Sequence, residues 1–120
     1  MFEQTLAELV DAVDGALMST VIGYDGIDLG RAMTPKVKGQ TDSLVVETAA
    51  LMNRMRQVAE QLRMGAVKEL ALEAEALTLV LRPVDERFVL ALALEPEGNL
   101  GMARYQLAVK APELRRALAS

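Results

Sequence analysis

The side chains in this chain that could do chemistry are carboxylates, hydroxyls and cations, because there is no cysteine and no histidine among its 120 residues. That removes disulfides, thiolate nucleophiles, imidazole bases and the usual zinc ligands. Neighbouring carboxylates stand at Glu73/Glu75 and Asp85/Glu86. Acid–base catalysis would need one of them in an apolar pocket that raises its pKa. Both pairs fall at predicted strand ends or turns, where water screens them. Ser19, Ser43 and Tyr105 have no imidazole partner, and no Ser-x-x-Lys pairing occurs. The reading is therefore a chain that is not an enzyme, with no catalytic residue, no cofactor and no metal site.

The stretch VIGYDGIDLG, residues 21–30, carries three glycines and two aspartates. A phosphate-binding loop would need Gly-x4-Gly-Lys-Ser/Thr ahead of a helix, and a dinucleotide fingerprint also opens directly into a helix. Here no lysine follows the glycines, and the next element reads as a strand. A calcium loop would need a longer acidic run ending in glutamate than Asp25 and Asp28 provide. Asp25-Gly26 between two apolar runs is instead a hairpin signal, since Gly26 accepts the positive φ of the turn.

The net charge of −4 argues against nucleic acid as a partner, which would require an excess of Lys and Arg. Two Phe, two Tyr and no Trp leave little for base stacking. The N-terminal residues are acidic and lack the basic start of a signal peptide. No apolar run reaches the roughly 18 residues of a membrane span. A cytoplasmic protein without membrane insertion is expected.

The elements that must position these residues follow from periodicity. Phe2, Leu6, Leu9, Val10 and Val13 recur at helical spacing, and Asp14-Gly15 ends that helix. Residues 16–23 and 27–32 read as two strands around the turn at 24–26. Residues 33–43 read as a loop whose Thr41, Asp42 or Ser43 caps the next helix, with Glu47 as a capping-box partner. That helix is expected from Leu44 to Met64, ending before Gly65. Three strands follow: Val67–Ala74, with Leu70 and Leu72 opposite Glu69 and Glu73; Ala76–Arg82, with Leu77, Leu79 and Leu81 on one face; and Arg87–Leu94, apolar on both faces. In the last strand Phe88, Leu90, Leu92 and Leu94 alternate with the smaller Val89, Ala91 and Ala93, which would let a helix approach closely. Asn99 caps a final helix, in which Pro112 predicts a kink or a restart near Lys110–Ala111.

The most apolar strands, the first and last, belong at the sheet centre, and the second and third have the polar character of edges. The resulting fold class is α+β: one domain over residues 1–120, α-β-β-α-β-β-β-α, with a five-stranded antiparallel sheet in the order 2-1-5-4-3 and helices on both faces.

The middle helix carries two apolar rows. Leu44, Thr48, Leu51, Met55, Val58 and Leu62 make one; Val45, Ala49, Met52 and Ala59 make the other. This arc is wider than one sheet face requires, so the helix is read as packing on its own sheet and on a partner. Arg54, Arg56 and Arg63 on the same helix are candidate partner contacts. The third strand is an edge with few devices against pairing, and Lys68 could meet Glu69 and Glu73 crosswise in a two-fold homodimer.

In this order of elements, and in VDGALMSTVIGYDGIDLG (13–30), LTLVLRPV, FVLALAL and NLGMARYQL, the chain resembles the Roadblock domain of dynein light chains and MglB-type regulators of Ras-like GTPases. The resemblance covers nearly the whole chain. It implies a dimer built from the middle helix and an edge strand, here Leu51, Met52, Met55, Val58, Leu70, Ala71 and Leu72. It implies no catalytic residue and, as partner, a small Ras-like GTPase whose nucleotide cycle or location is modulated. The alternative is a structural adaptor in a signalling or motility complex. No arginine finger is evident, so any activation would act by positioning the GTPase's own groups. Where the family commonly has a glycine-containing turn between the third and fourth strands, this chain has EAEA (73–76), which implies a different turn or longer strands.

Overall fold

The first apolar face becomes helix α1 (Glu3–Ala12), with Leu6 and Leu9 buried. In the computed structural model, which describes residues 2–37, 39 and 41–119, the remaining elements are β1 (Ala16–Gly23), β2 (Asp28–Met33), α2 (Thr41–Gln61), β3 (Leu70–Glu73), β4 (Thr78–Pro83), β5 (Phe88–Leu94) and α3 (Leu100–Ala119). The sheet runs β2-β1-β5-β4-β3, with each neighbouring pair antiparallel. This is the expected α+β topology, with β1 and β5 buried at the centre and β2 and β3 at the edges.

The alternation in β5 decides which helix lies where. Leu90, Leu92 and Leu94 point into a core shared with Leu6 and Leu9 of α1 and Leu107 and Leu114 of α3. Val89, Ala91 and Ala93 point to the opposite face, where Val45, Ala49 and Met52 of α2 cover them. The larger side chains thus fill the space under two helices, and the smaller ones meet a single helix.

The turns obey local chemistry. At the β1–β2 hairpin Gly26 adopts φ +89°, and the Asp25 carboxylate accepts the Ile27 N–H at 3.1 Å. The 21–30 stretch is thus a hairpin, with a register shift between Val21 and Ile22. At the other end of the sheet, the α1–β1 and β5–α3 turns touch backbone to backbone. The Asn99 N–H donates to the Asp14 carbonyl at 2.9 Å. A Cβ on Gly15, whose φ is +86°, would stand 2.6 Å from the Gly98 Cα, so neither position has room for a side chain.

Four details depart from the sequence reading. Helix α2 begins at Thr41, so Thr41, Asp42 and Ser43 form its first turn instead of its cap; Asp42 there suits the positive end of the helix. Lys38 and Gln40 of the preceding loop lie outside the described residues. The same helix ends at Gln61, three residues earlier than expected. The Met64 N–H donates to the Ala59 carbonyl at 2.8 Å and the Arg63 N–H to the Glu60 carbonyl at 3.1 Å, a Schellman closure with Arg63 left-handed at φ +55°. Gly65, the expected terminator, comes two residues later. Helix α3 does not restart near Lys110–Ala111 and runs on through Pro112. The buried Ala111 and Leu114 on either side hold it to the core, although Pro112 has no N–H for the carbonyl four residues back. The EAEA segment makes a short glycine-free turn, closed by the Ala74 N–H on the Leu77 carbonyl at 3.0 Å, and leaves β3 only four residues long.

Candidate functional site

Helix α2 is fastened at its start by β2. Arg31 donates to Asp28 at 2.7 Å, reaches the Asp42 carboxylate at 2.7 Å and donates to the Thr41 hydroxyl at 3.1 Å. The Asp28 hydrogen bond is the main cause that holds the Arg31 guanidinium above its ordinary value. Farther along, the Asn53 amide donates to the Tyr24 carbonyl at 2.9 Å, and the Arg56 guanidinium stacks 4.2 Å over the Tyr24 ring. Burial pushes the Tyr24 phenol above its usual value, and the Arg56 charge opposes the shift. One flank of α2 is therefore turned to the β1–β2 turn.

The two apolar rows of α2 have different fates. Val45, Ala49, Met52 and Ala59 are buried on the helix's own sheet. In the other row Thr48 is buried, Leu44, Leu51, Met55 and Val58 are half-covered, and Leu62 is 67% exposed. At roughly 100° per residue this second row lies on the flank away from Asn53, which is the side of β3. The expectation that Met52 belongs to a dimer contact meets an obstacle: it is 0% exposed, its whole surface spent on the protomer's core. Leu51, Met55 and Val58 keep accessible surface.

Strand β3 pairs only with β4, so its outer edge is free. Leu70 is half-covered on the α2 side, Ala71 is exposed, and Leu72 on the same side as Leu70 is 48% exposed. The apolar row of α2 and the apolar face of β3 thus adjoin. The crosswise pairing imagined for Glu69 is not open to it, because Glu69 already meets Arg104 at 2.7 Å and Arg82 at 3.5 Å within the protomer. Glu73 and Lys68 make no such ion pair among the described residues.

The carboxylate pairs serve local structure or face solvent. The Asp85 Oδ1 accepts the Arg87 and Phe88 N–H groups at 2.8 and 2.9 Å, and Glu73 and Glu75 are exposed. Among the described residues no three acidic side chains gather as a metal site.

The three candidate arginines part company. Arg54 is exposed on the outer surface. Arg56 and Arg63 line a cleft of about 1100 Å³ at the β4–β5 end of the sheet, joined there by Lys68, Arg82 and Arg115. Sequence reading did not find this grouping. Its members come from α2, the 62–69 segment that follows it, β4 and α3, and no spacing along the chain links them.

The antiparallel sheet thus has α1 and α3 on one face, a partly covered α2 on the other, and a free strand edge at β3. The chain belongs to the Roadblock/LC7 family: the Roadblock/LC7 domain model matches residues 2–94. Among solved structures it is similar to MglC from Myxococcus xanthus, at 35% identity over 97% of this chain and 98% of that one, with a TM-score of 0.72. It shares its fold with Myxococcus xanthus MglB (19% identity, 98% and 94% covered, TM-score 0.87). It shares it also with an MglB described as having a tetrameric arrangement (20% identity, 94% and 84% covered, TM-score 0.83). No curated protein matches the chain. No helix among the described residues is long and apolar enough to cross a membrane.

Proposed function

We propose that this Roadblock/LC7 chain is a non-catalytic homodimeric regulator or scaffold that binds a small Ras-like GTPase and modulates its nucleotide cycle or location in the cytoplasm. The observation that carries the proposal is the strip formed by Leu51, Met55 and Val58 of α2 and Leu62 just beyond it with Leu70 and Leu72 of β3. A small domain seldom leaves such a strip open beside an unpaired strand edge unless a partner covers both. A second copy fits it by two-fold symmetry: β3 edges pair antiparallel and the α2 rows pack against one another, so the sheet continues across the axis. Ala71 lies on the strand that would pair.

The assignment of the partner class rests on family membership and the 35% likeness to MglC. The chemistry fits a binding module, since the carboxylates serve turns or water and the hydroxyls have no base. Arg54, exposed on α2, is the candidate GTPase contact of this reading. Light scattering on size-exclusion fractions, with a candidate Ras-like GTPase loaded with GDP or a GTP analogue, tests the proposal. Co-elution with one nucleotide state alone is expected. Co-elution with neither would remove the GTPase and leave the adaptor reading.

A further inference from the structure

The cleft at the β4–β5 end of the sheet is separate from the apolar strip, and the GTPase reading does not use it. Its walls are the second half of α2, the 65–68 segment, the β4–β5 turn and the second half of α3. Five of the chain's thirteen Lys and Arg line it, against three of its seventeen Asp and Glu. In a protein of net charge −4 this is a local reversal of sign. Of the three acids, Asp85 is already spent on the Arg87 and Phe88 N–H groups.

The cations divide into fixed and free. Arg115 donates to the Val84 carbonyl at 3.0 Å, Arg56 lies on Tyr24, and Arg82 meets Glu69. Arg63 and Lys68 have no ion-pair partner among the described residues, and both are exposed. Arg63 is also the one described non-glycine residue with positive φ. A left-handed backbone strains an ordinary L-residue, and glycine is the usual choice at such a helix end. Arginine at that position places a cation on the rim at a cost in stability.

Val67 and Pro112 keep some apolar surface in the lining, whereas Val84 and Ala111 are buried in the core behind it. The volume exceeds the range of roughly 300–1000 Å³ typical of small-molecule pockets. The cations come from separate stretches of the chain, and in this reading they match charges distributed along a peptide. Among the described residues no aromatic side chain lines the cleft, so it offers no stacking platform for bases.

We propose that this cleft binds an acidic peptide segment of a partner protein, its apolar side chains on Val67 and Pro112 and its carboxylates on Arg63 and Lys68. The test is fluorescence anisotropy of the full chain with a labelled peptide of alternating glutamate and leucine, with no GTPase present. Saturable binding that weakens with added salt is expected. Joint Arg63→Glu and Lys68→Glu replacement should weaken it by about tenfold or more, whereas Arg116→Glu, outside the cleft, should leave it unchanged. Arg63→Gly keeps the folding question separate: it should raise the melting temperature, by relieving the left-handed arginine, while weakening the peptide. Met55→Glu should bind the peptide as the parent does, because the cleft lies within one protomer, so a failed dimer model is told apart from a failed cleft. Absence of saturable binding, equal loss with Arg116→Glu, unchanged binding with the charge reversals, or tighter binding of a labelled oligouridylate would each overturn the proposal.

Discussion

On one face of the sheet α1 and α3 close over Leu90, Leu92 and Leu94, while on the other α2 lies across Val89, Ala91 and Ala93 and leaves a row of its own half-covered. The first face also carries ties between its helices: Lys110 of α3 meets Glu8 of α1 at 2.8 Å. Beyond the second face, Leu62 and Met64 are 67% and 70% exposed. The same apolar inventory is used in two ways. Where two helices seal a face, large side chains go to stability. Where one helix covers a face of small side chains, its surplus apolar surface remains accessible.

The comparison breaks most visibly on the sealed face. Leu90→Ala removes a fully buried side chain at its centre and should cost about 2–5 kcal/mol in urea unfolding. A loss under about 1 kcal/mol would mean that this face is not the stabilising one.

The smallest expected effect is electrostatic. The hydrogen bond from Lys110 is the main cause that holds the Glu8 carboxyl below its ordinary 4.5, and the same bond holds Lys110 above its ordinary 10.5. The stability from Glu8 is present above its unfolded value and is lost as pH falls through the lowered folded value. The stability from Lys110 is present below its unfolded value and is lost as pH rises through the raised one. The Glu8 carboxylate is about half exposed, so water screens the pair and the contribution is slight. Glu8→Gln should flatten the acid limb of melting temperature against pH and leave self-association unchanged. A shift in self-association would place α1 in the interface and blur the distinction between the faces.

Much of this architecture is legible along the chain. The alternation of large and small residues in Phe88–Leu94 announces a central strand, and Asp25-Gly26 announces the hairpin. Strand order follows from which strands are apolar on both faces. Local pattern does not reveal what depends on distance in space. The two rows of α2 look equivalent in sequence, and only the packing buries Met52 while leaving Met55 accessible. Arg63 carries no mark of its left-handed backbone, because Gly65 nearby is the stronger terminator on paper. Pro112 signals a break that the burial of Ala111 and Leu114 overrides. The basic cleft draws single residues from separate elements, so no motif records it.

The central claim is that the half-covered row of α2 joins two copies of the chain. The direct measurement is the molar mass by light scattering of the parent and of Met55→Glu at matched concentration. The parent should have the mass of two chains. The variant should have the mass of one and keep its secondary structure by circular dichroism, because a glutamate in an apolar contact would be buried without a partner. A parent with the mass of one chain, or a variant that remains a dimer, would contradict the assignment of that row.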